Sequence, residues 1–248
     1  ISITMPPKET RRLFAAGDFD KSISVGDVLV FDKPDLTKLN IDLTWKGTDL
    51  DICAFLLGKD GMIHEREDLV YFNSKLRWIT KKPFSDPDFN PFEGDFSTWP
   101  EAGSLFKNPR KWQERTLPIS QDGSVIGSWD DMSDVEEEDN ECGERMHVDL
   151  DEVDTKKHLS IVFAAVVAKD RIAAGETFAD AHDPVVTIYN YETKDIVAEY
   201  KLASKFPGKD AVCFGRMEFN EETFLWNFVP MEESHNGGLE YLATEVYN

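Results

Sequence analysis

The chain has 248 residues and carries 48 Asp and Glu against 27 Lys and Arg, a formal charge of −21. That balance excludes a basic nucleic-acid surface, because phosphate contacts need clustered Lys and Arg, and it disfavours docking on an anionic membrane for the same reason. With 41% hydrophobic and 12% aromatic residues, disorder along the whole chain is excluded as well, and the length fits one large domain or one domain plus an insertion.

Residues 1–20, with Pro6-Pro7 and mixed charge, read as an N-terminal arm. From there the hydrophobic period is close to two. Val28–Phe31 forms a first strand. Leu39, Ile41, Leu43 and Trp45 alternate with polar residues, which marks a strand with one buried face. Ile52–Leu57 and Leu69–Phe72 follow. Between Leu76 and Asp122 the pattern breaks: eight aromatics (Trp78, Phe84, Phe89, Phe92, Phe96, Trp99, Phe106, Trp112) accompany six of the twelve prolines. Proline spacing predicts no regular structure of any length here, whereas the aromatics predict an ordered excursion. It either covers its own domain or docks a partner, since exposed aromatics favour interfaces.

Strands resume at Met146–Leu150 and at Ile161–Val167, which is apolar on both faces and is expected to be central. One helix is expected over Arg171–Ala181. Val185–Tyr189, Ile196–Leu202, Ala211–Phe219 and Phe224–Val229 complete the series, separated by polar turns such as Asn190 to Asp195. Many short strands at this spacing predict an all-β chain: a β-sandwich of two mostly antiparallel sheets with at most one or two short helices.

Three cysteines without CxxC spacing (Cys53, Cys142, Cys213) suggest neither a disulfide framework nor a zinc site and suit a reducing compartment. No apolar run is long enough to span a bilayer, and the first residues lack the blocks of a signal peptide, so cytoplasmic residence is expected. No phosphate-cradling loop or Gly-x-Ser-x-Gly elbow occurs, and the five histidines are scattered. His147, alone on a strand, reads as a surface residue. No catalytic residue is assigned, and a non-enzymatic protein is expected.

The acidity is local. From Asp130 to Asp154 thirteen carboxylates face one basic residue, Arg145, so that 25 positions carry −12 and the rest of the chain −9. Oxygen-rich groups recur elsewhere: Asp49 and Asp51 share a strand face, and Asn73 ends a strand. Calcium takes six to eight such oxygens. On composition alone, the acidic run is a solvated loop more often than a cation site.

Gly47-Thr-Asp49-Leu-Asp51-Ile-Cys-Ala-Phe-Leu-Leu-Gly58 resembles the signature strand of the TerD family of tellurium-resistance and stress-response domains, Phe-Asp-Leu-Asp-x-Ser-Ala-Phe-Leu-Leu. Ile23-Ser-Val-Gly-Asp27, Leu39-Asn-Ile-Asp-Leu-Thr-Trp45 and Asp68-Leu-Val-Tyr-Phe-Asn73 fall in the family's order. So do Gly123-Ser-Val125, Trp129-Asp-Asp131, Val148-Asp-Leu150, Gly175-Glu-Thr-Phe178, Ala211-Val-Cys-Phe-Gly215 and Asn236-Gly-Gly-Leu239. The resemblance covers residues 21–74 and 122–242, interrupted by the aromatic and proline-rich insertion at about 75–122. It implies a β-sandwich that binds calcium, one or two ions, through Asp49, Asp51, Asn73, Asp130, Asp131 and Glu144. The chain departs from the family pattern at Val135-Glu-Glu-Glu-Asp-Asn140, at Cys142-Gly143 and at Ser74. The expected role is a calcium-binding stress or scaffold module, with a protein partner or self-assembly through the insertion. The alternative is a structural subunit of a large assembly, such as a phage particle or filament, that uses the insertion and the arm for contacts.

Overall fold

Alternation in residues 38–47 sets the frame of the molecule. A computed structural model describes residues 10–17, 20–98, 115–128, 142–202 and 206–248. In it, strand β3 (Lys38–Gly47) turns Leu39, Ile41, Leu43 and Trp45 inward at no more than 1% exposure. Antiparallel neighbours continue the same face. β10 (Cys142–Asp149) sets Met146 against Ile41 and Val148 against Leu39, and β12 (Ala181–Asn190) sets Val186 against Leu43. With β13 (Ile196–Lys201) and β9 (Val125–Gly127) they make a five-stranded sheet of order β13-β12-β3-β10-β9.

The facing sheet has seven strands in the order β1-β2-β15-β14-β11-β4-β5. Their ranges are β1 Arg11–Phe14, β2 Asp27–Val30, β4 Leu50–Leu57, β5 Leu69–Val70, β11 Ser160–Val167, β14 Ala211–Asn220 and β15 Leu225–His235. All pairings in it are antiparallel except β1 with β2. The two sheets pack face to face, as the alternation predicts, and the chain is an all-β sandwich. β4 and β11 read as continuous apolar runs because both of their faces are covered. Leu50, Ile52, Ala54 and Leu56 join the core between the sheets, while Cys53, Phe55 and Leu57 pack outward beneath Leu242 and Tyr247. The C-terminal cover is helix α2 (Gly238–Tyr241) and the π-type turn Leu242–Val246 that continues it.

Several details depart from the sequence expectations. Part of the arm is ordered as the edge strand β1, clamped by Arg11 Nε and Nη2 donating to Asp27 at 2.9 and 2.7 Å. The expected helix over Arg171–Ala181 is shorter and earlier, helix α1 (Lys169–Ala174). Gly175 ends it with φ at 91°, a left-handed cap that costs glycine nothing. A 3-10 turn over Phe178–Asp180 follows.

The insertion also differs. It contains a three-stranded sheet of order β7-β6-β8, built from β6 (Leu76–Thr80), β7 (Gly94–Thr98) and β8 (Thr116–Pro118). β6 precedes the first proline of the insertion, β7 lies between Pro91 and Pro100, and Pro118 ends an edge strand, so no central ladder bond is lost. Gly94 is required at its position: a Cβ there would lie 2.4 Å from Ile79 O and 2.7 Å from the Trp78 ring. Phe84, Phe89 and Phe92 pack with Leu117, Ile119 and Ile126 against the outer side of the five-stranded sheet. The insertion thus covers its own domain, and His147, expected at the surface, is 7% exposed beneath it.

Candidate metal centre and the cleft beside it

β4 enters its sheet through Asp49 and Asp51. Asp49 O accepts from Ala168 N at 3.0 Å, and Asp51 pairs with Val166 of β11. Asp51 is 9% exposed and lies on the outward side of the strand, as Cys53 does. On the other side of β4, the chain leaves β5 through a turn in which Ser74 N donates to Tyr71 O at 2.9 Å. Ser74 Oγ accepts from Tyr71 N and donates to Leu69 O at 3.0 and 3.1 Å. That hydroxyl closes the turn where the family pattern has a second Asn, and it leaves Asn73 exposed at the rim.

Asp49, Asp51 and Asn73 line one cleft of about 1400 Å³. Its walls are residues 63–76, the β11–α1 junction and the C-terminal helical segment. Glu144 approaches β4 from the other sheet. It is 4% exposed, and its Oε2 accepts from Ile52 N at 2.6 Å, one residue from Asp51. Burial raises the Cys53 thiol well above its ordinary value, and the neighbouring Cys213 and the charges of Asp51 and Glu144 push the same way. The two carboxylates therefore act on one small volume.

Asp130 and Asp131 lie outside the described residues. Among the described residues no group of three or more His, Cys, Asp or Glu has metal-holding geometry. What the fold brings together is a partial set of oxygen donors: Asp49, Asp51 and Asn73 on one cleft, with Glu144 bonded to the backbone of β4 from the side of the other sheet. Such donors suit a hard cation, calcium before zinc. Cys53 is a buried, protonated thiol and adds no soft ligand.

A second polar cluster escapes sequence reading altogether. His158, 4% exposed, sits between Asp68 and Asp122, with Nε2 3.1 Å from Asp68 Oδ1 and Nδ1 3.2 Å from Asp122 Oδ2. Burial alone would lower its pKa, but the hydrogen bonds and charges of the two aspartates raise it to about 9. Burial likewise opposes ionisation of Asp122, yet His158, Ser124 and Ser120 hold its carboxyl well below the usual range. The partners are 90 and 36 residues apart in sequence, and no spacing rule connects them. The cluster ties the turn before β5 to the turn before β9.

The sequence model of the TerD domain matches residues 117–246, more than half of the chain. The chain belongs to the TerD domain family. General stress protein 16U of Bacillus subtilis is 27% identical over 170 residues, 68% of this chain and 83% of that protein. Two solved structures are similar to the chain at a TM-score of 0.49 each. One is a homologue of telluride resistance protein (TerD), SCO6318 from Streptomyces coelicolor A3(2), at 15% identity over 86% of this chain and 98% of that one. The other is a protein of unknown function, SAV2460, at 16% identity over 84% and 95%. In this TerD domain the matched stretch begins at β8, so it contains Asp130, Asp131 and Glu144, while Asp49, Asp51 and Asn73 precede the insertion.

Proposed function

We propose that this TerD domain is a non-enzymatic, calcium-binding module with a stress- or tellurite-resistance-related or scaffold role. The observation that carries the reading is the convergence of Asp49, Asp51 and Asn73 on one cleft, with Glu144 fixed one residue from Asp51. The acidic segment 129–141 lies between β9 and β10 in the chain, and Glu144 is the third residue of β10. That segment, with Asp130 and Asp131, supplies the remaining oxygens.

Asp49 and Asp51 are held by the ladder of β4 with β11, so they need little ordering when a cation arrives. The segment's carboxylates repel one another without a cation. Bound calcium offsets that repulsion with its two charges. Because the site forms only in the folded chain, binding energy adds to folding energy. Metal analysis of the purified protein, with calorimetric titration of Asp51→Asn and Asp131→Asn, tests this reading. Each variant is expected to lose calcium affinity by about tenfold or more. Unchanged affinity in both would remove these residues from the site.

One observation favours a partner or self-association through the insertion: β7 is an edge strand whose Phe96 is 51% exposed. Replacing residues 82–114 with a short linker and comparing sedimentation profiles tests it, and retained assembly would remove the motive. The three buried free cysteines fit a reducing, cytoplasmic setting. Among the described residues no helix is long and apolar enough to cross a membrane.

A further inference from the structure

The outer face of the five-stranded sheet carries polar residues, as a solvent-facing sheet does. Asn40, Asp42 and Thr44 alternate on β3, and Arg145 and His147 stand beside them on β10. Here that face is roofed by the aromatics of the insertion, and roof and sheet do not fill the space between them. A pocket of about 530 Å³ remains, lined by Phe84, Phe89, Leu117, Thr44, Arg145 and His147.

The polar groups in it divide cleanly. Arg145 Nε donates to Asp42 Oδ1 at 2.6 Å and Nη2 donates to Oδ2, so this pair neutralises itself at the more exposed end. His147 Nδ1 is 2.7 Å from Asn40 Oδ1, and only donation from the ring satisfies that carbonyl oxygen. Nε2 then carries the lone pair, and it has no partner among the described residues. Phe92 and Tyr191 hold the ring edge-on at 6.1 and 6.5 Å between centroids. Burial, with the charges of Arg145 and Lys194, keeps it neutral by pushing its pKa down to about 3. The pocket therefore offers aromatic and aliphatic walls, the Thr44 hydroxyl, and His147 Nε2 as a neutral nitrogen acceptor.

We propose that this pocket binds a small uncharged aromatic molecule bearing an N–H or O–H donor, its ring against Phe84, Phe89 and Leu117 and its donor on His147 Nε2. Charge argues for neutrality from both sides. An anion meets a chain of formal charge −21 with the nearby guanidinium already paired. A cation would give up its hydration among Phe84, Phe89 and Leu117. Few convergent polar groups in an apolar recess are what small-ligand sites have in common.

The test is calorimetric titration with indole and with 1-methylindole, which keeps the ring and lacks the donor. Indole should bind saturably at one site, and 1-methylindole about tenfold more weakly, the worth of one buried hydrogen bond. Thr44→Trp, which fills the pocket from the sheet side, should abolish indole binding. His147→Phe, which keeps an aromatic ring beside Phe92 and Tyr191, should bind the two probes alike. Because the two probes are compared on the unaltered protein, the test does not depend on either variant folding. Absence of saturable indole binding, or equal affinity for the two probes, overturns the proposal. Undiminished binding by folded Thr44→Trp places the ligand elsewhere and overturns it too.

Discussion

At His158 two opposing effects meet in one side chain, and pairing outweighs burial. Its folded pKa, about 9, lies above the ordinary 6.5. The stabilisation it adds is therefore complete below about pH 6.5 and is lost as pH rises through 9. Asp68 and Asp122 work in the opposite direction. Both are lowered from 3.8, so their contribution is present above that value and is lost as the solution becomes more acidic. A melting series should show a fall in Tm between neutral pH and pH of about 9. His158→Gln removes the cation and leaves two buried carboxylates facing each other, at a cost of about 3–5 kcal/mol. In that variant the alkaline fall in Tm should vanish, and a fall of unchanged size would show that another group causes it. None of this was legible in the sequence, because long-range pairing between loops leaves no periodic trace. His147 departs from the surface position its sequence predicts for a related reason. Its own strand predicts an outward side chain, correctly, but what lies outside is a roof from a distant segment.

Among the elements, strands with strong alternation or unbroken apolar runs were legible: β3, β4 and β11 fall within a few residues of where the side-chain pattern puts them. β6, β7 and β8 were not, because the prolines that flank them suggested breakage throughout. Their short length is compatible with proline at the ends, and packing of Phe84, Phe89 and Phe92 supplies what local propensity does not. Phe92 packs on Tyr191 at 4.9 Å between ring centroids, and the Lys38 ammonium lies 5.4 Å from its centre. Phe92→Ala should cost about 2 kcal/mol and make the insertion more sensitive to limited proteolysis than the sandwich. An unchanged cleavage pattern would mean that the roof is held by other contacts.

The C-terminal cover allows a second check. Tyr247 packs on Phe55 in a tilted pair at 4.8 Å between ring centroids, and its hydroxyl lies 3.3 Å from the Cys213 sulfur. All three thiols are buried, so the folded protein should react slowly with a thiol reagent. Tyr247→Ala opens the outer face of β4, β11 and β14 and should make Cys213 react faster by at least about tenfold, at a stability cost of about 3 kcal/mol. Equal labelling rates would show that the cover does not depend on this ring.

At the scale of the molecule, the charge of −21 is a property of one region more than of the surface as a whole. That region and its candidate ligands are visible in the sequence. The fold then brought Asp49, Asp51 and Asn73 to one cleft and showed Glu144 in a structural bond to Ile52 N as well. Asp49 and Asp51 were legible because strand period dictates a shared face. The tether from Glu144 was not, since it crosses between sheets. Each calcium bound would offset two units of charge and link the acidic segment to the frame formed by β4 and β10. The direct measurement is the melting curve of metal-free protein with and without millimolar calcium, at matched ionic strength in sodium chloride. A calcium-specific rise in Tm, abolished in Asp51→Asn, is the predicted result. Superimposable curves in calcium and sodium, with no heat of binding, would contradict the calcium-binding account.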